Sequence, residues 1–136
     1  MDFLVTTFQT LPAFLIYIAV CAGLLTGFAG IYLWITPYAE LALIRRGNIA
    51  AAVNFVATLL GFTLPLASLV AHAVNIVDVT LWAVVAAIVQ ILAHVVARVL
   101  IPEMPRHIED GNAAVATLAA GISVCFGVLN AACLVY

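Results

Sequence analysis

Gly47-Asn48-Ile49-Ala50-Ala51-Ala52 opens one apolar run, and Gly111-Asn112-Ala113-Ala114-Val115-Ala116 opens another 64 residues later. At the same offset Phe55 meets Ala119, Ala57 meets Gly121 and Phe62 meets Phe126. With one gap, Ile35-Thr36-Pro37 aligns upstream with Leu100-Ile101-Pro102. Each copy is an apolar stretch, a proline, a short charged turn, a Gly-Asn start and a second apolar stretch. The pattern predicts an all-α polytopic membrane protein, with four transmembrane helices formed by two tandem helical hairpins, a parallel internal repeat. One membrane domain, 1–136, is expected, with hairpins over about 12–71 and 79–135.

Composition points to the same solvent. Of 136 residues, 68% are hydrophobic and 7% charged, with four Arg and no Lys. A soluble domain carries about 25% charged residues, so polar surface is too scarce to cover a water-soluble globule. A net charge of −2 without a basic run argues against nucleic acid as a partner. Cys21, Cys125 and Cys133 lie in apolar runs without a Cys-x-x-Cys pair and read as small buried hydrophobes. No Lys or Arg precedes the first apolar run, so that run is expected to be retained as a helix, since a cleaved leader needs a basic start.

A spanning helix needs roughly 20 apolar residues. Four segments qualify: Pro12–Ile35, Ile49–Ala71, Val79–Ile101 and Ala113–Val135. Pro12 suits a first helical turn, where its missing N–H costs nothing. Pro37 and Pro102 stop spans one and three, and Asn48 and Asn112 are expected N-caps for spans two and four. Arg45, Arg46, Arg98 and Arg106 all fall at one end, and the turn from His72 to Asp78 has none. The positive-inside rule puts the Arg-bearing turns in the cytoplasm, with both termini and the middle turn facing outward. Tyr32, Trp34 and Tyr38 read as an inner aromatic belt, and Phe14, Trp82 and Tyr136 as an outer one. Glu40 to Arg46 reads as a short amphipathic helix near the headgroups. Glu103, Glu109 and Asp110 stand where they could pair with Arg45 and Arg46.

Helices in lipid associate through close packing and hydrogen bonds rather than hydrophobic drive. Gly23-x-x-x-Gly27 in span one and Ala57-x-x-x-Gly61 in span two are candidate packing motifs, within the bundle or as a homodimer seam. Ala113, Ala116, Ala120, Gly127 and Ala131 supply small residues in span four, and Asn130 an interhelical bond. Pro65 inside span two predicts a kink, with Thr63 and Ser68 available to the freed backbone groups.

Gln90, His94 and Arg98 are four residues apart and share one face of span three. Asn54 and Thr58 share one face of span two. The two stripes should meet in the half of the bilayer nearer the Arg-bearing turns. Two readings stand. In one, Gln90 and Asn54 are interhelical glue and Arg98 snorkels to headgroups. In the other, the seam is a relay or solute path, because intramembrane ionisable groups are functional by default. No Asp or Glu falls inside the four predicted spans, which argues against a carboxylate-based proton pathway. No nucleophile motif, phosphate loop or haem-attachment sequence is found, so no enzyme, catalytic residue, metal or cofactor is expected.

Ile35-Thr36-Pro37, Leu43-Ile44, Asn48 with Ala50-Ala51, Thr58-Leu59-Leu60-Gly61-Phe62 and Pro65-Leu66 resemble the domain-of-unknown-function family 350, the YjfL-like bacterial inner-membrane proteins. Gln90, Arg98, Asn112 and Gly127-x-x-Asn130-Ala131-Ala132-Cys133 are similar to the same family, and His94 stands outside its motif. The resemblance implies four spans built from a repeated hairpin, and no established reaction. By association it implies work in envelope maintenance or stress through a membrane or cytoplasmic protein partner. The seam adds an alternative, a small channel or transporter subunit. Arg98 with Glu40–Arg46 adds another, anionic-lipid binding.

Overall fold

The computed structural model describes residues 1–134. The expected end of span four at Val135 and the outer-belt Tyr136 lie outside them. Six helices follow in order: α1 (Asp2–Ile35), α2 (Glu40–Arg45), α3 (Ile49–His72), α4 (Ile76–Leu100), α5 (Met104–Glu109) and α6 (Ala113–Cys133). The chain is all-helical among the described residues, and α1, α3, α4 and α6 are long and apolar enough to cross a membrane.

The two short helices form matching turns. Gly47 and Gly111 take φ of 85° and 78°, a left-handed conformation open to glycine at little cost. Each accepts the chain leaving a short helix, through Gly47 N–H to Ile44 and Gly111 N–H to Ile108. Asn48 then caps α3 by accepting from the Ala51 amide, and Asn112 caps α6 by accepting from the Val115 amide. The turns also touch: the Asn48 side-chain amide donates to the carbonyls of Ile108 (2.9 Å) and Glu109 (3.3 Å).

Packing centres on α3, which lies most extensively against α6, with α4 against both. The buried stripe of α6 is Ala116, Ala119, Ser123, Gly127 and Asn130; that of α4 includes Ala83, Ala86, Ala93 and Ala97. Such small residues let backbones approach where lipid offers no hydrophobic reward. The closest approach is Gly61 against Gly127. A Cβ on Gly127 would stand 2.6 Å from the Gly61 Cα, and a Cβ on Gly61 would strike the Gln90 amide and the Ser123 carbonyl. Pro65 removes the helical donor to the Gly61 carbonyl; that carbonyl lies against the Gly127 backbone. Helix α3 runs on through Pro65 to His72.

Several expectations are corrected. Helix α1 starts ten residues early, so Pro12 sits inside it rather than in its first turn. Thr6, Thr7 and Thr10, polar residues that hid this start, return their hydroxyls to the carbonyls of Asp2, Phe3 and Thr7. At 34 residues, α1 is ~51 Å long, well beyond a hydrocarbon core of about 30 Å. Gly23 and Gly27 make no close approach within the chain: a Cβ on either would meet nothing within 4 Å. They line an open apolar groove of about 470 Å³ between α1 and α4 instead. Cys125 and Cys133 are exposed and Cys21 half-buried, so none is a fully buried hydrophobe. Glu103, expected to reach Arg45 or Arg46, pairs instead with Arg106 at 3.9 Å, one helical turn away, and no ion pair joins the two turns among the described residues.

Candidate functional site

The interior is layered. At the Arg-bearing end Tyr38, Ala50, Ala51, Ala97, Ile101, Met104 and Ile108 form part of one apolar cluster. At the other end Phe28, Phe62, Leu66, Leu69, Val79 and Ala83 form part of a second. Between them on each helix lies polar chemistry: Tyr32 on α1, Asn54 and Thr58 on α3, Gln90 and His94 on α4, and Ser123 on α6, all buried. The structure thus brings Asn54, Thr58, Gln90 and His94 into one buried layer. Arg98 is exposed on the flank of α4, outside that layer.

The layer also holds a group that the sequence put elsewhere. Pro37 follows the end of α1, and the chain turns back so that α2 packs beneath α3. The first residue of α2, Glu40, is thereby carried inside at 1% exposure. It does not lie among headgroups, as the amphipathic reading of Glu40–Arg46 required. Tyr32 (0% exposed) and Tyr38 (7%) likewise leave the expected inner belt for the interior, whereas Trp34 stays outside.

Glu40 is bound by polar neighbours and by no cation among the described residues. Its Oε1 accepts from the Tyr32 hydroxyl at 3.3 Å and from the Asn54 amide at 3.3 Å. Asn54 also donates to the Tyr32 hydroxyl at 2.7 Å and to the Tyr38 hydroxyl at 3.3 Å. Thr58 returns its hydroxyl to the Asn54 carbonyl, and Thr36 returns its own to that of Tyr32. The His94 ring meets Tyr32 edge-on, with centroids 5.1 Å apart. Further in, the Gln90 amide donates to the Ser123 carbonyl at 3.3 Å, and Asn130 donates to that of Ala86 at 3.3 Å.

Three buried polar atoms of this layer make no hydrogen bond among the described residues: Oε2 of Glu40, Oε1 of Gln90 and Nε2 of His94. A buried carboxylate without a cation is costly to ionise. Burial accordingly pushes the Glu40 carboxyl up to about 7, with hydrogen bonds from Asn54 and Tyr32 opposing. Burial, then the Glu40 charge, push the Tyr38 phenol up. Glu40 and Tyr38 also line a pocket of about 200 Å³ with Leu33, Ala39, Leu41 and Ala42 at the Arg-bearing end.

The sequence offered some signal for this site. Phe28 and Tyr32 on α1 and Thr36 at its C-cap are spaced four apart, a stripe whose polar members mark an inward face. Glu40 had no such signal, because its burial depends on the reversal after Pro37.

Residues 6–134 match the family described as Domain of Unknown Function (DUF350). The UPF0719 inner membrane protein YjfL of Escherichia coli strain K12 is 33% identical over 128 residues, covering 94% of this chain and 97% of the relative. YjfL of Escherichia coli O157:H7 matches to the same extent. No solved structure matches the chain. A match over nearly the whole chain, joined to four apolar helices, describes a multi-pass inner-membrane protein, and the chain belongs to the DUF350 family.

Proposed function

We propose that this chain is a small channel- or transporter-type membrane subunit whose working centre is the polar layer around Glu40. The burial of Glu40 without a cationic partner among the described residues carries the reading. Keeping such a carboxyl in the interior costs stability at neutral pH. Groups of this kind within membrane proteins mark ion and proton paths. The hydroxyls of Tyr32 and Tyr38, the Asn54 amide and the pocket at the Arg-bearing end support it. The positive-inside rule places that end in the cytoplasm and both termini in the periplasm. Flux through proteoliposomes tests the reading. A pH gradient should collapse faster with the wild-type chain than in empty vesicles, and Glu40→Gln should abolish the difference. Equal leak from all three preparations refutes it.

The second reading is work through a partner, as in envelope maintenance. The N-terminal half of α1 favours it: residues 1–16 are all exposed and extend the helix beyond what a bilayer requires. Photo-crosslinkers at Phe3 and Phe8 test it, and a reproducible protein adduct in cells is the expected result. Adducts to lipid alone refute it.

A further inference from the structure

We infer that Oε2 of Glu40, Nε2 of His94 and Oε1 of Gln90 mark a single internal proton-binding chain, bridged by water that enters beside Glu40. This deepens the transport reading above and rests on it. The three atoms belong to side chains 1%, 3% and 0% exposed, and none has a protein partner among the described residues. Leaving a buried donor or acceptor unmet is costly, and buried polar groups in this position are met by internal water. The order of the chain follows from the packing. Glu40 accepts from Tyr32 at 3.3 Å, and Tyr32 meets the His94 ring. Gln90 lies one turn farther along α4 on the His94 face. There it is wedged at the Gly61–Gly127 crossing, where a side chain on Gly61 would displace it.

The remaining groups around Glu40 are consistent with a proton as the ligand. Helix α1 presents Tyr32, the loop Tyr38, and α3 the uncharged Asn54 and Thr58. Helix α4 presents His94, with the Arg98 charge near enough to act on Tyr38. No Lys or Arg side chain pairs with Glu40 among the described residues, so a proton neutralises it. Binding forms a Glu40 O–H bond, and the hydronium that delivers the proton becomes water. Elevation of the Glu40 pKa to about 7 is consistent with occupancy near neutral pH.

Solid-state NMR of the full chain in lipid bilayers, with labelled Glu, Gln and His, tests the inference. Water cross-peaks are expected at the Gln90 side-chain amide and the His94 ring, and none at buried Leu69. The Glu40 carboxyl should titrate near neutrality. His94→Leu should move its midpoint upward by about 1 unit, because an apolar side chain expels the water that solvates the carboxylate. The conservative His94→Gln should restore most of that shift. A dry Gln90 and His94, or a Glu40 midpoint unmoved by His94→Leu, overturns the chain. Flux is read separately. A hydrated, titrating chain without flux refutes transport and keeps the site, whereas flux with a dry interior does the reverse.

Discussion

Replacing Glu40 by glutamine should flatten the pH dependence of stability. The Glu40 carboxyl lies at about 7 in the folded protein against an ordinary value of 4.5. Between those values the folded chain holds a proton that the unfolded chain has lost. Stability therefore falls as pH rises through this window. The favourable contribution is complete below pH 4.5 and gone above pH 7. Each pKa unit corresponds to about 1.4 kcal/mol, so the swing is about 3 kcal/mol. The glutamine side chain in the Glu40→Gln variant keeps an oxygen that can accept from Tyr32 and Asn54 but has no proton to lose. Unfolding of both proteins in the same micelles, followed from pH 4 to 8, reads the difference. Wild type should lose about 3 kcal/mol relative to Glu40→Gln across the range. Parallel curves would refute a buried carboxyl, because a solvated Glu40 would have the same pKa folded and unfolded.

Other outcomes follow from the packing and the turns. Gly127→Ala places a methyl against the Gly61 backbone and should cost about 1–3 kcal/mol in unfolding, while Gly23→Ala and Gly27→Ala leave the monomer unchanged; equal losses at all three would contradict the α3–α6 crossing. Asn48→Ala should destabilise more than Asn112→Ala, about 2 against about 1 kcal/mol by thermal melting, because Asn48 also ties the two turns together through Ile108 and Glu109. A Cys introduced at Arg46 should react with a membrane-impermeant maleimide only after cells are opened; labelling of intact cells would reverse the orientation.

Much of the fold was legible because membrane helices announce themselves by length and apolarity, and turns by Gly, Asn and Pro. Asn54, Thr58, Gln90 and His94 were legible as a seam because each pair keeps a four-residue spacing within an apolar run. Glu40 was not. In Glu40-Leu41-Ala42-Leu43-Ile44-Arg45-Arg46 the local pattern alone favours a helix lying on the surface, with the carboxylate in water. Its burial comes from tertiary structure: the chain reverses after Pro37, and Tyr32 and Asn54 on two other helices receive the carboxylate. The predicted spans hold no Asp or Glu, yet the interior does, because Glu40 enters it from outside them. The Gly23–Gly27 motif marks no close packing within the chain, for a similar reason. Its spacing permits close approach, but α1 meets α3 and α4 through Phe28 and Tyr32, the residues it buries. The two Gly-Asn turns, 64 residues apart, share their Gly φ angles, their caps and their Gly and Asn backbone bonds. Superposition of the whole hairpins would test whether the chain is an internal repeat.

Carbodiimide labelling reports on the buried carboxyl without relying on flux, since an apolar carbodiimide enters the membrane interior and attacks protonated carboxyls. In the bilayer-embedded chain, peptide mapping should find the adduct on Glu40, growing as pH falls through about 7, with Glu103 and Glu109 little modified. A water-soluble carbodiimide should show the opposite preference. An unmodified Glu40, or one reached first by the water-soluble reagent, would put the carboxyl in water and leave the polar layer without its acid.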